Sequence, residues 1–222
     1  MDTLMIAFFK RFIRNYSSRQ WEAWWQNRKI DWKESYLSTW NHPHRQLLVE
    51  VLKRLNWISL LEIGCGPGAN IAKIVQSIPG KQLGGVDINP EAIALALETF
   101  NGAFFKVCPA HDVMMSDDSC DIVLSDMTLI YYGPRRVGAV LEEMKRVARS
   151  YVVFSEFHSE SPWERLKLSL RSGYHAHDYF SLLERHGFRE IKVMKMPEEA
   201  WPGSDAQQKF RYIVVARVPK YK

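Results

Sequence analysis

A chain of 222 residues, 46% of them hydrophobic and with a net charge of +5 at pH 7, has the apolar content for one substantial core, and its length suits one domain with an appendage better than two full domains. Its three cysteines, Cys65, Cys108 and Cys120, form no CxxC pair and have no histidines at zinc-ligand spacing, which excludes a disulfide framework and a structural zinc site. No apolar run approaches the ~20 residues that span a bilayer, and no signal-peptide pattern opens the chain, so a cytoplasmic protein without a transmembrane segment is expected.

The charge is uneven. Residues 1–59 carry 10 Lys/Arg against 5 Asp/Glu, whereas residues 60–222 carry 20 of each. Five of the eight tryptophans (Trp21, Trp24, Trp25, Trp32, Trp40) also lie near the amino terminus. A basic, aromatic segment of this kind suits a nucleic-acid platform, an interfacial membrane helix or a substrate lid. Within it, the apolar residues between Leu4 and Ile13 cover a wide helical face edged by Lys10, Arg11 and Arg14, which predicts an amphipathic helix.

Leu47, Leu48, Val51, Leu52 and Leu55 predict a core-facing helix over 46–55, with Pro43 near its start. Short apolar runs then alternate with helical patterns. Strands are expected at 59–63, 82–87, 103–107, 122–126 and 151–156, and helices at 69–77, 90–99 and 135–148. That alternation predicts a parallel sheet with helices on both faces. A helix over 178–186 stops at Gly187 and is followed by two β-rich runs, 188–196 and 210–218, expected to pair antiparallel as the last strands of the sheet. The intervening stretch 197–208 reads as a surface loop.

The segment Glu62-Ile63-Gly64-Cys65-Gly66-Pro67-Gly68-Ala69-Asn70 joins the first strand to a helix. Glycines there remove Cβ atoms and allow the backbone to approach a ligand, which is expected across the carboxyl ends of the strands. Asp87, about twenty residues beyond this loop and at the end of the second strand, is placed to accept hydrogen bonds from both hydroxyls of a ribose. Taken alone, Gly64, Gly66 and Ala69 also satisfy the dinucleotide pattern G-x-G-x-x-A.

Glu62 before the loop, Pro67 within it, the closing antiparallel pair and the run Ala110-His111-Asp112-Val113 through Asp121-Ile122-Val123 together resemble class I S-adenosylmethionine-dependent methyltransferases. The resemblance covers most of residues 60–156. It implies an α/β fold, a Rossmann-like three-layer αβα sandwich with a seven-stranded, mostly parallel sheet whose last strand is antiparallel. An N-terminal helical cap over 1–45 would precede a cofactor-binding domain over 46–222. The implied cofactor is S-adenosyl-L-methionine, leaving as S-adenosyl-L-homocysteine. Glu62 would hold its methionine end, the loop residues Gly64, Cys65, Gly66, Gly68 and Asn70 would approach it, and Asp87 would bind its ribose. Ile88, Ala110 and His111 would border the adenine, and Ser125 and Asp126 would lie near the sulfonium. The family often has Asp before the alanine of the adenine loop; Pro109 stands here, so backbone, His111 or Asp112 would have to take over recognition of the adenine amino group.

Methyl transfer is an in-line displacement that needs a positioned nucleophile and, where that nucleophile is protonated, a base. Candidate catalytic residues follow the fourth and fifth strands: Asp126, Tyr132 and His158, the last preferred as base because imidazole titrates near neutrality. His175 and His177 lack a third ligand at recognisable spacing, so no metal is expected. The motifs Trp40-x-His42-Pro43-His44-Arg45, Leu129-Ile130-Tyr131-Tyr132-Gly133-Pro134 and Glu156-x-His158 resemble a group of bacterial and archaeal small-molecule methyltransferases, implying a metabolite or sugar-like acceptor with an oxygen or nitrogen nucleophile. Two alternatives remain open from the sequence: an RNA or DNA methyltransferase docking through the basic aromatic segment, and a membrane-surface module whose residues 1–15 lie among lipid headgroups.

Overall fold

The computed structural model describes residues 18–201 and 205–219; the amphipathic helix expected near the amino terminus lies outside them. Seven strands form one sheet: β1 (Ser59–Ile63), β2 (Gln82–Asp87), β3 (Phe104–Val107), β4 (Cys120–Asp126), β5 (Ala148–Phe157), β6 (Arg189–Lys195) and β7 (Arg211–Arg217). Their order is β3-β2-β1-β4-β5-β7-β6. The first five pair in parallel, and β7 runs antiparallel to both β5 and β6, as expected from the sequence. Strand order reverses at β1, which places a crevice between the carboxyl ends of β1 and β4.

The helices are α1 (Ser18–Gln26), α2 (Trp32–Ser35), α3 (Pro43–Lys53), α4 (Ala69–Ser77), α5 (Pro90–Thr99), α6 (Val137–Val147), α7 (Pro162–Ser172), α8 (Tyr179–Arg185) and α9 (Asp205–Phe210). Alternate residues of each strand feed opposite cores. Leu61, Ile63, Val123, Val152 and Phe154 pack with Val140, Leu141 and Met144 of α6 and Leu183 of α8. Leu60, Ile122, Leu124 and Val153 pack with Leu48 and Leu52 of α3, Ile71 and Ile74 of α4, and Ile93 of α5. Those two cores make the sandwich three-layered.

The structure departs from the sequence expectation in three places. First, α7 was not anticipated, although Ser161 caps it by accepting from Glu164 N, Pro162 opens it, and Gly173 closes it in the left-handed region (φ 76°). Leu168 is its one buried residue, so hydrophobic periodicity gave no signal. Second, the stretch expected as a surface loop before β7 holds a 3₁₀ turn (Glu198–Ala200) and α9. Third, α3 begins at Pro43 rather than at residue 46, so that His44 and Arg45 enter the site from its first turn.

Candidate functional site

A cavity opens where the sheet order reverses, at the carboxyl ends of β1, β2 and β4. Its floor is the glycine loop. Gly64 has φ 70°, and a Cβ there would run into the side chain of Thr128. Gly66 (φ 53°) has nothing within 4 Å of where a Cβ would stand, so the cavity reaches bare backbone at that point. Asp87 closes one side: its Oδ2 accepts from Gly66 N at 2.8 Å and its Oδ1 from Asn89 N at 2.8 Å. Burial pushes the Asp87 pKa up against these donors.

At the other side Asp126 ends β4. Its Oδ2 accepts from Asn70 Nδ2 (3.0 Å) and Arg45 Nη1 (3.2 Å) and lies 3.1 Å from His44 Nε2; its Oδ1 accepts from Arg211. Burial alone would raise this carboxyl, but Arg211, His44 and Arg45 hold it well below the ordinary carboxylate range. His44 is driven down to about 4, chiefly by burial, so its ring is neutral at pH 7. Its Nδ1 faces His42 Nδ1 at 2.7 Å. With His44 Nε2–H donated to Asp126, His42 is the donor in that second contact.

Glu62 lies between these groups, 1% exposed. Oε1 accepts from Asn70 Nδ2 at 2.6 Å, whereas the buried Oε2 has no partner among the described residues. Burial, opposed by the Asn70 bond, raises its pKa to about 8. An unpartnered buried carboxyl oxygen costs free energy that a ligand ammonium would recover.

The roof comes from the N-terminal helices. Glu22 of α1 grips Arg136 with both oxygens (2.9 and 3.0 Å) and lies 3.2 Å from His111 Nδ1. Asn89 caps α5 through Oδ1 and donates its Nδ2 to the carbonyls of Trp25 and Arg28 at the end of α1. Trp21, Trp25, Trp32 and Tyr36 thereby face the glycine loop across the cavity.

The sequence-derived site residues divide accordingly. Glu62, Gly64, Cys65, Gly66, Asn70, Asp87, Ile88, Ala110, Asp126 and Tyr132 line the cavity. Four do not. Gly68 caps α4, His111 stands behind Glu22, and Ser125 donates to Glu156 Oε1 (2.7 Å) in the core. His158 is also off the cavity: its Nδ1 accepts from Tyr179 N at 3.1 Å and its ring packs against Tyr179 and Tyr212. Tyr132 hydrogen-bonds Glu22 and is raised by burial and by that carboxylate, so it remains protonated. His44, Arg45 and Arg211 are not among the site residues expected from sequence because they reach Asp126 from remote parts of the chain, whereas the aromatic roof falls in the segment that also suits a substrate lid. Among the described residues no group of His, Cys, Asp and Glu is arranged to hold a metal.

The fold defines a Rossmann-like domain with a cavity at the carboxyl edge of its sheet. Residues 60–150 match the family described as methyltransferase domain. Malonyl-[acyl-carrier protein] O-methyltransferase of Bacillus cytotoxicus is 26% identical over 129 residues, which span 56% of this chain and 45% of that protein, under half its length. Among solved structures, the plantazolicin methyltransferase BpumL, in complex with a monoazolic desmethylPZN analog and S-adenosylhomocysteine, aligns with a TM-score of 0.64 at 16% identity, covering 96% of this chain and 100% of that one. Magnesium protoporphyrin IX methyltransferase of Synechocystis PCC 6803, with bound S-adenosylmethionine, aligns with a TM-score of 0.58 at 14% identity, covering 99% and 98%. Residues 60–150 of the chain are thus similar to class I S-adenosylmethionine-dependent methyltransferase domains, and two of the similar structures hold S-adenosylmethionine or its demethylated product.

The site suits that cofactor. The ligand carries a sulfonium, an ammonium and a carboxylate, and the cavity offers the unpartnered Glu62 carboxyl, the charged Asp126 and the Asp87 carboxyl beside the open backbone at Gly66.

Proposed function

We propose that the protein methylates an oxygen or nitrogen nucleophile of a small molecule. The observation that carries this reading is the roofed cavity: the sheet edge is closed by α1 and α2, locked through Glu22–Arg136 and Asn89, which leaves room for a small acceptor and excludes bulk water. The molecules named with the similar proteins are malonyl-[acyl-carrier protein] for the Bacillus enzyme and a monoazolic desmethylPZN analog for BpumL. The reading of the aromatic segment as a nucleic-acid platform loses support from its packing, whereas residues 1–15, on which the membrane-surface reading rests, lie outside the described residues. Trp21 and Trp32 are buried, and Arg45 points inward to Asp126.

When bound, the cofactor supplies an electrophilic methyl group on a sulfonium. The chain's residues do the rest. Glu62 and Asp126 bind positive charge, Asp87 accepts hydroxyl donors, Ile88 and Ala110 give an apolar wall, and the roof excludes water. His44 holds Asp126 in place rather than taking a proton from the nucleophile: its Nε2–H is donated to Asp126 and its Nδ1 accepts from His42, so neither ring nitrogen is free for proton transfer. His158 has neither the position nor a free Nδ1 for that task.

The test is labelled-methyl transfer from S-adenosylmethionine to pooled metabolites, with total RNA and a carrier protein as comparison arms. Label appearing in low-molecular-mass products supports the proposal, and label confined to RNA or protein overturns it.

A further inference from the structure

A second cleft lies on the outer side of the roof. Trp21, Trp24, Trp25, Tyr36, Tyr131 and Tyr174 wall it together with Arg28. Four of these, Trp21, Trp25, Tyr36 and Tyr131, also line the cofactor cavity, so the two spaces share a wall of movable aromatic rings. The rings pack edge-on and tilted, with centroids 4.8 Å (Trp24–Trp25), 4.9 Å (Trp21–Tyr131) and 5.4 Å (Trp25–Tyr131) apart. Such a surface favours a flat, unsaturated guest.

Arg28 fixes the charge of that guest. Its guanidinium carbon stands 4.2 Å from the Trp24 ring centroid and 5.0 Å from that of Trp25. Among the described residues no carboxylate lies within ion-pair distance of it, and its Nε is buried without a hydrogen-bond partner. Aromatic cages elsewhere attract cations, but here the chain's own guanidinium occupies the ring faces, and a second cation would be repelled. A planar anion satisfies both the rings and the fork of N–H donors.

We propose that this cleft binds a small molecule with a planar aromatic body bearing an anionic group, a carboxylate or a phosphate, paired with Arg28. This site goes beyond the small-molecule methyltransferase reading and does not depend on it. The binding claim itself is tested without turnover.

The experiment is calorimetric titration of the full chain with 2-naphthoate, neutral 2-naphthol and 2-naphthylmethylammonium, alongside S-adenosylhomocysteine. Naphthoate is expected to bind about 10-fold or more tighter than either analogue, and Arg28→Gln to abolish that preference while leaving S-adenosylhomocysteine affinity unchanged, as loss of one charge-assisted pair implies. Equal binding of the three probes, a preference for the ammonium, or an unchanged preference in Arg28→Gln overturns the proposal. Naphthoate binding that appears only after deletion of residues 1–15 also overturns it, because that segment would then be the occupant. Binding of S-adenosylhomocysteine without naphthoate removes this inference and leaves the methyltransferase reading standing; the converse result removes the methyltransferase reading alone.

Discussion

Glu62→Gln isolates the electrostatics of the cavity. In the folded chain Glu62 keeps its proton to about pH 8, whereas an unfolded glutamate loses it near ~4.3. Between those values the unfolded state binds fewer protons, so each rise in pH favours unfolding. At about 1.4 kcal/mol per unit, flattening near the folded pKa, stability falls by about 2 kcal/mol from pH 6 to pH 8 through this residue. Glu156, raised to about 7 by burial, adds a smaller loss of the same sign. Glutamine mimics the protonated carboxyl and keeps the Asn70 partnership at Oε1. Urea denaturation at the two pH values is therefore expected to show a smaller pH-dependent loss in the variant, by about 2 kcal/mol. Equal losses in the two proteins would refute the assignment of a protonated Glu62.

Other expectations follow from the same contacts. Cofactor binding at pH 7 is expected to release a proton from Glu62, seen as a dependence of calorimetric heat on buffer ionisation enthalpy; a heat independent of buffer would contradict it. Gly64→Ala places a Cβ against Thr128 at φ 70° and is expected to cost about 2–4 kcal/mol of stability, with an unchanged unfolding midpoint counting against the close approach. His44→Phe leaves Asp126 Oδ2 one donor short and is expected to cost about 1–3 kcal/mol of stability, with an unchanged unfolding midpoint counting against that bond.

The parts of this molecule that were legible in sequence are local. β1, its glycine loop, α4 and Asp87 are encoded within one βαβ stretch, where period, turn residues and spacing act together. The antiparallel closing strands were also visible, since no helix long enough for a parallel crossover separates them. The Asp126 cluster was not, because its partners come from α3, 81 and 82 residues away, and from β7, 85 residues away. No periodicity reports which distant arginine a strand-end carboxylate will find. His158 was chosen by its nearness to the end of β5. Its backbone N–H instead bonds Phe210 O and its ring turns to Tyr179, a choice set by tertiary packing. The tryptophans of α1 announced a special surface, but only the Glu22–Arg136 and Asn89 contacts reveal that it faces inward.

An adenosyl cofactor is proposed to occupy the cavity between Gly66, Asp87 and Glu62. Titration of S-adenosylhomocysteine into the wild-type chain and Asp87→Ala tests it most directly. One site per chain is expected, weakened about 10-fold or more by loss of the carboxylate proposed to bind the ribose, with the circular dichroism of the variant unchanged. Binding of NAD with no binding of S-adenosylhomocysteine, or equal affinity in the two proteins, would contradict it.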